Sequence, residues 1–114
     1  MRDELQDELK KDFPKLIDDK TLIGVGDGWF DLITCLLQTL MITPDKPRLD
    51  DISTKFGRLR VSSFPGISDA AHGAIVMAET MSGHICDICG NKAEINRTDH
   101  LSRCAAHSHP DAVR

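Results

Sequence analysis

The chain predicts an α+β fold: helices packed on a small antiparallel β-hairpin, with a ligand-held knuckle near the C-terminal end. Three observations carry this. Trp29, Leu32, Ile33, Leu36, Leu37 and Leu40 recur at i, i+3, i+4, i+7, i+8 and i+11, a wide apolar stripe on one helix. From Leu49 to Phe64 the apolar period shortens towards two, the signature of strands. Finally, Cys86, Cys89, Cys104 and His107 stand as C-x2-C-x14-C-x2-H, two pairs at metal-ligand spacing. Residues 1–83 are expected to form a helix–helix–hairpin–helix core, and residues 84–114 a knuckle attached to it.

In chain order, Arg2 to Asp12 places Leu5, Leu9 and Phe13 at i, i+4 and i+8 on a strongly charged helix. Its acidic residues Asp3, Glu4, Asp7 and Glu8 come early and Lys10 and Lys11 late, which suits the helix dipole. The acidic face is either a docking surface for a partner or a solvated face of a helix laid on the core. Pro14 closes the helix, and Lys15 to Val25 reads as an irregular or short extended connection.

Gly24-Val25-Gly26-Asp27-Gly28-Trp29 superficially suggests a phosphate-binding loop. It lacks the G-x-x-x-x-G-K-[ST] spacing and any following lysine. The local reading is that Asp27 caps the Trp29 helix and the glycines permit a sharp turn into it. Cys35 lies off the apolar stripe and is expected to be an ordinary buried or half-buried thiol. Thr43 to Pro47, with two prolines, breaks this helix.

In the following hairpin, Ile52, Thr54 and Phe56 share one alternation and Leu59, Val61 and Ser63 the other, with Gly57-Arg58 as the tight turn. Lys55, Arg58 and Arg60 cluster at its tip. They can grip a phosphate or an acidic partner, or simply keep an edge hairpin soluble. Pro65-Gly66 ends the hairpin. Ser68 is expected to cap a third helix running to about Ser82, with Gly83 as its stop and His72 exposed. Ala71, Ala74, Ile75, Ala78 and Met81 form its inner stripe.

The four C-terminal ligands admit four readings: disulfides, free buried thiols, redox chemistry and a metal. Disulfides suit an oxidising compartment, but the sequence opens Met-Arg-Asp-Glu-Leu without an apolar targeting stretch, so a reducing cytoplasm is expected. A redox C-x2-C belongs on a strand-to-helix turn of a βαβ unit, which does not surround Cys86. Zinc fits best. Three thiolates and an imidazole complete a tetrahedron with no open position, so one structural ion is expected in a zinc-ribbon-like knuckle. Gly90, directly after Cys89, suits the positive φ of such a turn. His109 is an alternative fourth ligand, with His84 and His100 also near. From His84 to Arg114 the larger apolar residues are only Ile85, Ile88, Ile95, Leu101 and Val113, too few for a separate core, so the metal has to hold the segment.

Charge narrows the function classes. The formal net charge is −4, and residues 1–31 carry nine acidic and five basic side chains. An acidic chain lacks the Lys and Arg excess behind most non-specific nucleic-acid affinity. No run has the length of a membrane span; the longest nearly apolar one, Leu32 to Ile42, is interrupted by Thr34, Gln38 and Thr39.

Phe13-Pro14-Lys15-Leu16, Gly26-Asp27-Gly28-Trp29-Phe30-Asp31-Leu32-Ile33, Lys55-Phe56-Gly57-Arg58-Leu59-Arg60 and Cys86-Asp87-Ile88-Cys89-Gly90 occur in that order. In this the chain resembles a family of small phage and prophage proteins with a GDGW helix start, an FG-x-LR hairpin and a CxxCG knuckle. The resemblance covers roughly residues 13–107. The chain departs from the pattern at Val25, where the family often has cysteine, and at Arg58, where it has glycine in the turn. The resemblance implies a phage origin and action in the bacterial cytoplasm, and it brings no reaction with it.

The leading expectation is a non-enzymatic zinc protein that binds a host protein or ribonucleoprotein complex, such as a CRISPR effector or another defence machine. Its contact face would be Lys55, Arg58 and Arg60, or Asp3, Glu4, Asp7 and Glu8. One alternative is a nucleic-acid-binding zinc ribbon using Lys55, Arg58, Arg60, Lys92, Arg97 and Arg103. Another is a degenerate HNH-like nuclease built on Asp99-His100. Only three residues separate His100 from Cys104, too few for the strand and helix that such a site needs.

Overall fold

Amphipathic periodicity decides most of the architecture. The computed structural model describes residues 1–63, 65–95 and 100–107 and has an α+β fold. A 3₁₀ turn at Asp27–Trp29 leads into helix α2, Phe30–Met41, and all six residues of its predicted stripe are buried. Each aliphatic member of that stripe contributes about 1.5–3 kcal/mol by leaving water. Cys35, expected to be at least half-buried, is exposed on the opposite side of the helix. Helix α1, Asp3–Asp12, buries Leu9 against the core, and Phe13 follows it there at the helix end.

Helix α3, Asp69–Ser82, starts as expected: Ser68 Oγ accepts the Ala71 amide at 3.2 Å. Its inner face is Ala71, Ile75, Ala78 and Ser82, with Ala74 partly buried. Met81, assigned inward from its apolarity, is instead 43% exposed. The buried position one residue on belongs to Ser82, because a hydroxyl is needed there. Its Oγ accepts the Leu59 amide at 2.8 Å and donates to the Glu79 carbonyl at 2.5 Å. Gly83 ends the helix without a left-handed turn (φ −66°). A Cβ there would lie 3.2 Å from Ile95, so close packing is what favours glycine.

Strands β2, Leu49–Lys55, and β3, Arg58–Ser63, pair antiparallel with Ile52 opposite Val61 and Thr54 opposite Leu59. The two-residue turn is Phe56-Gly57, one position earlier than expected, because Lys55 pairs with Arg58. Both turn residues have positive φ, 53° and 82°, the condition for a type I′ hairpin. A register irregularity between Leu49 and Asp51 lets Leu49 and Ile52, three apart, both face the core. The sheet is not purely antiparallel. Leu22–Ile23 forms β1, parallel to β2 with Ile23 opposite Ile52, giving the order β1-β2-β3.

β3 is an edge strand, yet α3 covers its outward amides. Leu59 N–H goes to Ser82, and Val61 N–H goes to the Glu79 carboxylate at 3.1 Å. Packing against both α2 and β3 therefore gives α3 two tasks, filling the core and closing the sheet edge.

Gly73 lies exposed within α3, and an added Cβ would meet nothing within 4 Å. Gly73→Ala is expected to stabilise the protein by about 0.5–1 kcal/mol, since glycine only adds backbone entropy there. A thermal melt should show a rise of a few degrees.

Candidate metal centre

Two short turns build the centre. After α3, the Cys86 amide donates to the Asn91 carbonyl at 2.7 Å, and the Gly90 amide returns to the Cys86 carbonyl at 2.9 Å. Gly90 closes this turn at φ +83°, as its place after Cys89 predicts. Strands β4, Glu94–Ile95, and β5, Ser102–Arg103, then pair antiparallel and return the chain to the first turn. A 3₁₀ turn, Ala105–His107, folds the His107 ring back over Cys104.

The result is a cluster of Cys86, Cys89, Cys104 and His107 whose ligand atoms all lie within 4.8 Å of one another, and which can hold a metal ion. Cys89 Sγ is 3.6 Å from Cys104 Sγ, and His107 Nδ1 is 3.6 Å from Cys86 Sγ and 3.2 Å from Cys104 Sγ. A tetrahedron with metal–sulfur bonds of about 2.3 Å has sulfur–sulfur edges of about 3.8 Å, so the residues fit a single ion. Cys86 and Cys104 are buried, His107 is half-buried and Cys89 is exposed. His84 and His100 are exposed and stand outside the cluster, while the alternative ligand His109 lies outside the described residues.

The thiols are electrostatically unequal. Burial pushes the Cys86 thiol up, but hydrogen bonds from the backbone at Cys104, Cys89 and Ile88, together with the Cys89 thiol, bring it down to about 6. At Cys89 the Asn91 amide pulls downwards, yet burial and the sulfurs of Cys104 and Cys86 outweigh it, and the thiol is raised. A depressed folded-state value stabilises the folded metal-free chain fully above the ordinary thiol value of 9.0. That stabilisation shrinks as the pH falls and is gone below about 6. Metal binding needs the thiolates, so acid opposes it as well. Titration with a chromophoric chelator is expected to show metal held near neutral pH and released as the pH falls below about 6. Release that did not depend on pH would contradict thiolate ligation.

The knuckle sits directly on the glycine-rich turn before α2. Gly28 N–H donates to the Asp87 carbonyl at 3.0 Å, and Trp29 Nε1 donates to the Ile85 carbonyl at 2.8 Å. A Cβ on Gly28 would stand 2.1 Å from the Cys86 carbonyl oxygen, and one on Gly26 would stand 1.9 Å from that of Asp87. The glycines are therefore there for close approach of two backbones. Asp27 does not cap the helix. Its carboxylate takes the Arg2 amide at 2.8 Å and the Arg2 guanidinium at 2.7 Å, fastening α1 instead. The amides an Asp27 cap would have served are already used, Trp29 by the Gly26 carbonyl and Phe30 by the carbonyl of Asp27 itself. Sequence reading missed this seat. Its one visible signal is a pair of glycines flanking Asp27, next to a tryptophan whose N–H needs a partner.

The hairpin tip is tied to the same knuckle. Ser102 Oγ donates to the Gly57 carbonyl, the Asp87 amide donates to the Ser102 carbonyl at 3.0 Å, and a Cβ on Gly57 would meet the His100 carbonyl at 2.4 Å. His100 meets the Phe56 ring edge-on at 5.9 Å, and Lys55 Nζ lies 5.8 Å from the centre of that ring.

Between the hairpin and α3 runs an open groove of about 620 Å³, lined by Lys55, Arg58 and Arg60 on the strand side and by Val76 and Thr80 on the helix side. All three cations are exposed, and among the described residues none of them forms an ion pair. Asp3, Glu4, Asp7 and Glu8 are exposed on α1 and do not line this groove. Of the other basic residues, Lys92 is exposed, Arg103 is engaged with Asp87 at 3.1 Å, and Arg97 lies outside the described residues, as does Asp99. His72 is exposed, as expected.

Among the described residues no helix is long and apolar enough to cross a membrane. Compared with known proteins, the chain matches no family model, no curated protein and no solved structure.

Proposed function

We propose that the protein is a non-enzymatic binding module whose Cys86, Cys89, Cys104 and His107 hold one structural zinc ion and whose hairpin groove engages a macromolecular partner. Zinc is the ion that three thiolates and one imidazole suit best, and with four protein ligands the tetrahedron has no place for a reacting water. The observation carrying the binding role is the groove itself. Three cations without ion-pair partners among the described residues flank an exposed aromatic, Phe56, on a hairpin whose tip is pinned by the knuckle. Phe56 is 70% exposed and held at φ +53°, an unfavourable backbone setting for a bulky residue that the core does not need. Taken with the resemblance to phage proteins, the reading is a phage-encoded protein that acts in the bacterial cytoplasm on a host protein or ribonucleoprotein complex, with a defence complex as the leading candidate.

A nucleic-acid-binding zinc ribbon would use the same cations. Arg103 is already committed to Asp87, which leaves a smaller patch than the sequence suggests. Affinity capture from bacterial lysate, with and without nuclease, separates the two readings. A host protein complex recovered after nuclease treatment, and lost on Arg58→Glu/Arg60→Glu, is the expected result. Recovery abolished by nuclease would instead assign the groove to nucleic acid.

A further inference from the structure

We infer that the groove between β3 and α3 takes an acidic amphipathic helix of a protein partner, laid along α3 with its carboxylates against Lys55, Arg58 and Arg60. This rests on the binding-module reading above and names the chemistry of its partner.

Strand addition is closed off first. The amides that β3 turns outward, on Leu59 and Val61, are already bonded to Ser82 Oγ and the Glu79 carboxylate. A peptide cannot pair with donors that are taken, so recognition passes through side chains. α3 supplies an apolar surface for it. Besides its buried stripe the helix carries Val76, Met77 and Met81 outward, at 44%, 64% and 43% exposure. Val76 and Thr80, and Met77 and Met81, are i, i+4 neighbours and form two adjacent ridges, the relief into which a second helix packs. Exposed methionines suit such a surface because their flexible thioethers adapt to a partner.

Charge then selects the helix. Across from the Val76 ridge stand three cations without ion-pair partners among the described residues, so a partner helix needs carboxylates along one flank of its apolar face. A nucleic acid fits less well. Three phosphate contacts give a salt slope of only roughly 2.7, against six to ten contacts in ordinary binders. The chain as a whole carries −4, which weighs against a long polyanion more than against the few carboxylates on one flank of a helix, and the Glu79 carboxylate beside the groove is turned to the Val61 amide.

The test is selection of helix-forming peptides from a displayed library against the metal-loaded full chain, with a thymidine oligonucleotide titrated in parallel. Enriched peptides are expected to carry apolar residues at i, i+3 and i+4 flanked by Asp or Glu. Their binding should fall at least tenfold on Arg58→Glu/Arg60→Glu and on Val76→Glu, and should be unchanged by Asp7→Lys/Glu8→Lys on α1. All these positions are exposed, and metal content and circular dichroism would show that each variant is folded. Enrichment of extended or basic sequences, absence of any consensus, equal binding by the groove variants, or binding of the oligonucleotide alone would overturn the inference. A lysate partner that survives nuclease but depends on the α1 carboxylates would overturn this groove and leave the wider binding role intact. Nuclease-sensitive recovery would overturn the protein-partner reading itself and assign the groove to nucleic acid.

Discussion

Removing the metal, by chelation or through Cys104→Ser, is expected to unfold the knuckle and to lower the melting midpoint of the whole chain by more than roughly 10 °C. Structural zinc supplies about 10–16 kcal/mol to small zinc peptides near neutral pH, and the knuckle has little else to hold it. Among the described residues its own buried apolar cluster is Cys86, Ala93 and Cys104. The loss travels inward because the knuckle is hydrogen-bonded to the core at several points. Gly28 N–H and Trp29 Nε1 both donate to knuckle carbonyls, and the Gly57 carbonyl accepts from Ser102. Leaving buried donors such as the Trp29 indole unsatisfied costs about 1–3 kcal/mol each. At roughly 4 °C per kcal/mol for a chain of this size, two or three such losses reach the expected shift. Metal content measured alongside the melt checks the cause. A variant that lost the metal and kept the parental melting midpoint would show that the knuckle stands apart from the core.

Gly28→Ala is expected to be the most damaging small substitution, destabilising by more than about 3 kcal/mol and weakening metal affinity with it. The new methyl would sit 2.1 Å from the Cys86 carbonyl oxygen and 2.7 Å from the Gly90 amide nitrogen, all backbone, so the knuckle has to move off the turn. Overpacking alone costs typically 1–3 kcal/mol, and here the Gly28–Asp87 hydrogen bond goes too. The control lies four residues earlier. At Gly24 an added Cβ meets nothing within 4 Å, so Gly24→Ala is expected to change stability by less than about 1 kcal/mol. Denaturant unfolding and competitive metal titration of the pair would separate a backbone contact at residue 28 from a general need for flexible glycines. Equal effects at both positions would contradict the contact.

What was legible in the sequence was local. The α2 stripe appears residue for residue because six large apolar side chains at helical spacing leave little choice of face. Ser68 caps α3, since a serine before a helical run satisfies the orphan amides of its own first turn. The four ligands of the candidate centre were marked by spacing and do converge. What was not legible depends on distant partners. Asp27 has the look of a helix cap, but its carboxylate is taken by Arg2 at the head of α1, twenty-five residues earlier in the chain. β1 is two residues long and pairs in parallel with β2, so neither a period nor a turn signal announces it. Met81 is expected inside from its apolarity, but Ser82 takes the buried position because the Leu59 amide needs an oxygen there. The basic groove was half-visible. Lys55, Arg58 and Arg60 were marked as a cluster, but the wall of α3 that completes it follows only from the fold.

The central claim is that the metal-held knuckle organises the glycine turn and the hairpin tip around itself. The most direct measurement is hydrogen exchange at the Gly28 amide, whose only hydrogen-bond acceptor among the described residues is the Asp87 carbonyl, in metal-loaded and chelated protein. The expected result is strong protection with metal and a large loss of protection without it, while amides in the middle of α2 stay protected. Protection at Gly28 that persisted after complete metal removal would contradict the claim.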